Sequence, residues 1–175
     1  MRLIISGVLL LAALAVGLPV RAAAQLPLFV SGYAGAAFNT DDNSPGESSG
    51  GFAFQTDVGI RLARVGFGAE FGQHNTGGDL KSKVYGGFVR LPSFMGEGPV
   101  QVYLVAGLGF YRFDPSAGKG SSTVGGSLGP GVTFRLRGTP VAVGLEARFH
   151  STFDKLPRIN NQQFVSVLGG LDLGF

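Results

Sequence analysis

The stretch FHSTFD (149–154) sets a histidine, two hydroxyls and an aspartate side by side. Those are the groups of nucleophilic acyl transfer, in which an imidazole activates a serine and a carboxylate orients the imidazole. The spacing works against that chemistry. His150 and Ser151 are adjacent, and on a strand adjacent side chains point to opposite faces. The reading is therefore no catalytic residues. Metal binding fares no better, because His74 is the other histidine and cysteine is absent, which leaves no ligand set. Glycine runs such as GGSLGPG (125–131) lack the lysine and the strand–helix context of a phosphate-binding loop. Asp41, Asp42 and Glu47 in NTDDNSPGESSGG (39–51) lack the spacing of a calcium loop. The expectation is no cofactor and no metal.

A second set of reactive groups is more orderly. Asp57, Arg61, Glu70, Arg90, Arg135, Glu146, Arg148 and Asp172 are four acids and four bases, and each sits on the polar side of an alternating segment. Charges inside a narrow space are costly unless paired. These eight are predicted to form an ion-pair network that plugs an interior; the alternative is that they line a selective pore.

The elements that position them repeat one rhythm. Alternating segments are expected at roughly 27–39, 52–62, 65–73, 81–91, 99–113, 123–136, 140–153 and 163–175. The connections 39–51, 74–79, 114–122 and 154–162 are polar and mostly long. Those at 63–65, 92–99 and 137–140 are shorter. Long and short connections alternating along a meander are the pattern of a membrane barrel.

Composition points the same way. Mean hydropathy is +0.28 and charged residues are 14%, against about 25% in soluble domains. Glycine numbers 30, where average usage would give about 12. After residue 24 no apolar run approaches the roughly 20 residues of a membrane helix. At the start, Arg2, the apolar run 3–20 and the pair Ala22 and Ala24 read as a signal peptide, residues 1–24, cleaved before Gln25. The barrel domain is then 25–175. Without Arg2 and Arg21 the 14 basic residues become 12 against 11 acidic ones. With no basic cluster, no nucleic-acid partner is expected.

The faces decide which side is wet. In 100–112, Val100, Val102, Leu104, Ala106, Leu108 and Phe110 alternate with Gln101, Tyr103, Val105, Gly107, Gly109 and Tyr111. In 141–150, Val141, Val143, Leu145, Ala147 and Phe149 alternate with Ala142, Gly144, Glu146, Arg148 and His150. A soluble barrel would turn the apolar side inward and cover its outside with charge. Here the polar side is mostly glycine, alanine and serine, which suits a narrow eight-strand lumen. The apolar side carries Phe52, Phe54, Phe71, Phe110 and Phe149 toward its ends, as an interfacial girdle would. The fold class is all-β: an eight-stranded antiparallel up-and-down transmembrane barrel.

The signal peptide, VYLVAGLGFYRF (102–113), GGSLGPGVTFRL (125–136), VAVGLEARFH (141–150) and the terminal LDLGF together resemble the small outer-membrane β-barrel family of the OmpA/OmpX type. The resemblance implies residence in a bacterial outer membrane, contact with its lipid, and insertion by the barrel-assembly machinery. Leu171, Leu173 and Phe175 match the family's C-terminal assembly signal. Members differ widely in role. The expected function is structural or surface-interaction, with a possible ligand met through loops 39–51 and 154–162. One alternative is a narrow porin-like channel. The other is a lipid-modifying enzyme, since lipid A deacylases are also eight-stranded barrels; their motif has serine and asparagine where this chain has Thr152 and Phe153.

Overall fold

Where every second side chain is apolar, extended backbone puts all of them on one face, and the chain is built this way throughout. A computed structural model describes residues 28–40, 50–62, 64–76, 80–92, 98–115, 120–153 and 162–174. Eight strands follow in chain order: β1 (Leu28–Asn39), β2 (Gly51–Leu62), β3 (Val65–Asn75), β4 (Leu80–Pro92), β5 (Val100–Pro115), β6 (Ser121–Arg135), β7 (Val141–Thr152) and β8 (Gln163–Gly174). Each end falls within two residues of the sequence expectation. Residues 1–24, with Ala22 and Ala24, and Phe175 lie outside the described residues.

Every strand pairs antiparallel with the next, and β8 returns to β1 to close the barrel. The closing register runs from Phe29 opposite Gly174 to Asn39 opposite Phe164. Closure removes sheet edges, so strand N–H and C=O groups find partners within the wall, which is the condition for a sheet in hydrocarbon. The first strand begins and the last strand ends at the same rim. Two tight connections also lie there. Leu62 pairs with Val65 across one of them. The other runs through Gly138, whose φ of 74° is the left-handed conformation glycine adopts without penalty. This rim is the turn end of the barrel, and the opposite rim, where the polar connections lie, is the loop end.

The barrel is apolar outside and polar inside. Leu104, Leu108, Phe110, Leu128, Leu145 and Leu171 are all more than half exposed, whereas Asp57, Glu146 and Arg148 are buried to within 1%. On the outer wall Phe54, Phe71 and Tyr85 form a tilted row, with ring centroids 5.6 and 5.2 Å apart. Beyond it toward the loop end, Lys83 and Arg112 both bind the Asp114 carboxylate, at 3.0 and 2.9 Å. The apolar belt thus ends in aromatic rings and then ion pairs.

Candidate functional site

The site is the lumen, and its parts come from strand alternation. Odd-numbered positions of β1, β2, β5 and β6 and even-numbered positions of β3, β4, β7 and β8 face inward. That rule brings distant residues to one level. Asp57, Glu70, Arg90, Glu146, Arg148 and Asp172 meet in one network.

Arg90 is its hub toward the turn end. Its Nη1 donates to Asp172 Oδ2 at 2.8 Å, and its Nη2 donates to Asp57 Oδ2 at 2.7 Å and to the Tyr33 hydroxyl at 3.3 Å. Glu146 Oε2 lies 3.8 Å from the same Nη2. Four aromatic rings enclose the guanidinium, with Phe29, Tyr33, Phe88 and Tyr103 centroids 5.1–5.7 Å from its central carbon. Guanidinium planes stack well on aromatic faces and are less strongly hydrated than ammonium groups, so arginine is the cation suited to this cage. Arg148 is the second hub. It donates from Nε to Glu146 and from Nη1 to Glu70, and its Nη2 lies 3.6 Å from Asp57 Oδ2. Asp57 therefore couples the two hubs.

Four carboxylates face two buried guanidiniums here, with Arg61 3.8 Å from Asp172 at the turn end. Neutral donors take up part of the imbalance. Gln55 Nε2 donates to Asp57 at 2.8 Å, the Tyr103 hydroxyl to Glu146 at 2.9 Å and Ser31 to Asp172 at 3.1 Å. Counting these donors, seven of the eight strands are tied together; β6 is the exception. Strand β6 contributes space instead, because a side chain at Gly131 would run into the Tyr103 ring. Arg135 does not join: it is exposed at the turn end and makes no ion pair among the described residues. It is the last residue of β6, so the wall ends before its side chain is enclosed.

Toward the loop end the filling changes character. His150 stacks on Phe164 at 4.4 Å with the rings 8° from parallel, and His74 packs against both rings at 4.9 and 5.1 Å. His150 Nδ1 lies 3.1 Å from the Tyr111 hydroxyl and Nε2 lies 3.1 Å from Ser166 Oγ. Sequence separation hid this convergence; the common inward parity of positions 74, 150, 164 and 166 was the available signal. The arrangement does not make a catalytic triad. A tyrosine stands where a carboxylate would stabilise the imidazolium, and the serine and histidine are buried. Ser151 forms no pair with His150. Asp154 lies outside the described residues. No group of three or more histidine, aspartate or glutamate side chains among the described residues is arranged to hold a metal.

No protein-family model matches the chain, and comparison with curated proteins returns no match. Solved structures do match. The chain is similar to Neisserial surface protein A, with 19% identity, 85% of this chain and 97% of that one covered, and a TM-score of 0.73. It is also similar to the N-terminal β-barrel domain of Pseudomonas aeruginosa OprF, with 8% identity, 86% and 98% coverage, and a TM-score of 0.62. At such identities the likeness establishes a shared fold.

Proposed function

We propose that this chain is an integral outer-membrane barrel whose lumen is a packed, non-conducting core and whose work is done at its surface, through the connections at the loop end. The observation that carries this reading is the inversion of polarity. A wall with Leu108 and Phe110 about two-thirds exposed suits acyl chains rather than water, and both arginine hubs behind it are spent on protein partners. A lumen filled in this way supplies mechanical closure rather than a path. Its partners on this reading are outer-membrane lipid, the assembly machinery that reads Leu171, Leu173 and Phe175, and a surface ligand met by 39–51 and 154–162. Most of those two connections lies outside the described residues. A leader at 1–24 would deliver the chain for export. The fold likeness to a protein named for its surface location supports the reading.

The test pairs membrane fractionation with planar-bilayer recording. Recovery in the outer membrane, with a band that changes mobility on boiling and no unitary conductance, is the expected result. Steady ion conductance through the purified barrel would replace the closed core with the narrow-channel reading. A lipid A change that depends on the protein would replace it with an enzyme.

A further inference from the structure

The outer wall carries its charge on one side of the loop end. Among the described residues there, Lys81 and Lys83 on β4 and Arg112 and Asp114 on β5 are the charged side chains that point outward. The corresponding positions of β1, β2, β7 and β8 hold Phe38, Phe52, Phe149, Ser151 and Gln163. An interfacial girdle runs round a whole barrel, so confinement to two strands needs its own cause. Asp114 does not neutralise the group. Its Oδ2 accepts from Lys83 and its Oδ1 from Arg112 Nε, so one carboxylate is shared by two cations. Lys81, in register opposite Asp114, is exposed and has no ion-pair partner among the described residues. With existing partners counted, three cations stand against one acid, and two positive charges are left over.

Register makes these cations part of a row. Gln73 is opposite Lys83, Lys83 opposite Arg112 and Arg112 opposite Ser122, so four outward donors lie side by side across β3 to β6. Like charges directly opposite each other are destabilising, and Lys83 faces Arg112 in that way. The Arg112 side chain is 59% exposed, and its bond to Asp114 uses Nε, which leaves the Nη groups free for another oxygen. The next outward row toward the membrane centre is Phe71, Tyr85, Phe110 and Val124, paired in the same order. Phe110 is 65% exposed and Tyr85 48%. A ligand that satisfies both rows has an anionic head and a hydrocarbon tail.

We propose that the loop-end outer wall of β4 and β5 binds an anionic, phosphate-bearing lipid, its headgroup held by Lys81 and Arg112 and its first acyl carbons laid on Tyr85 and Phe110. Guanidinium and ammonium groups both bind phosphate oxygens, the guanidinium two at a time. Gln73 and Ser122 supply neutral donors at the edges of the row. The tail fixes the source. A free phosphate ion gains nothing from the ring row, whereas a lipid is brought against both rows by the leaflet that contains it. The inference deepens the outer-membrane reading and rests on its lipid-facing wall.

The full chain is refolded into nanodiscs of phosphatidylcholine carrying rising fractions of phosphatidylglycerol, at constant ionic strength, and its backbone amides are followed by NMR. Saturable shifts at 81–85 and 110–114 are expected, with the amides of Phe38, Ser151 and Gln163 unmoved. Lys81→Gln and Arg112→Gln should each weaken binding about fivefold. Lys81→Gln breaks no ion pair among the described residues, so the fold survives it. Asp114→Asn removes the resident acid and should tighten binding about fivefold, a gain that a merely structural ion pair would not give. Equal shifts all round the barrel, wild-type affinity in either cation variant, or binding by Asp114→Asn no tighter than wild type overturns the site. Membrane fractionation keeps the two readings apart. Lipid confined to this face in a chain that fractionates away from the outer membrane refutes the location and keeps the site. An outer-membrane chain whose amides ignore phosphatidylglycerol loses the site and keeps the location.

Discussion

The lumen fills the same narrow cylinder in two ways. Its middle, from Asp172 to Glu70, is a belt of charges in which every hub atom but Arg90 Nε and Arg148 Nη2 has a hydrogen-bond partner. Its loop-end layer is a stack of rings, His74, His150, Phe164 and Tyr111, in which both nitrogens of His74 are buried without a hydrogen-bond partner among the described residues. A charge belt specifies: each group needs a particular partner from a particular strand, so it fixes register. A ring stack mostly fills: apart from the hydrogen bonds of His150 to Tyr111 and Ser166, its contacts are non-directional and accept substitutes of similar volume. The two layers should therefore fail differently.

The sharpest way to break this contrast is to remove a hub. Arg148→Ala leaves Glu70 buried without its cation, leaves Glu146 only the 3.8 Å approach of Arg90, and takes one of two cations from Asp57. The expected loss is about 3–5 kcal/mol, the cost of stranding a buried ionic partner. Urea titration of the refolded protein measures it. A loss below about 1 kcal/mol would mean that the belt is hydrated and that its pairing carries little.

Next in size is a control on the wall that both layers stand behind. Leu104 is on the outer face of β5, opposite Pro130 and Leu91, and 53% exposed. Leu104→Arg should cost about 2–4 kcal/mol in vesicles, the depth-dependent penalty of a cation against hydrocarbon. A silent substitution would put Leu104 in the lumen, and a one-residue shift would exchange every inward and outward side chain.

How much of this was legible follows from what each signal measures. Period-two alternation reports faces, and it placed all eight strands and the outward residues Leu104, Leu145 and Leu171 without any contact information. It also gathered six of the eight named charges at one level, because inward parity plus a meander leaves few heights for them. It erred on Arg135, since parity says which way a residue points and not whether the wall still encloses it. The aromatic cage of Arg90 and the His74–His150 contact were invisible for a related reason: they depend on the stagger between strands, which alternation does not encode. Gly107 shows the limit at atomic scale. Alternation places it inward, as it is, but cannot show that a Cβ there would lie 2.7 Å from Glu70 Oε1 and Ser127 Oγ. The small residue is part of how Glu70 reaches Arg148.

The smallest expected effect discriminates best between the two layers. His74→Phe keeps the ring and its packing against His150 and Phe164 while deleting two buried nitrogens that have no partner among the described residues. A buried polar atom without a hydrogen bond costs its desolvation and returns nothing. The substitution should be neutral or stabilising by about 0–1 kcal/mol, read by the same urea titration as Arg148→Ala. Loss of more than about 2 kcal/mol would mean that the imidazole holds a directional partner after all. The loop-end layer would then be a second specifying belt, and the division of the lumen into a part that fixes register and a part that mostly fills would fall.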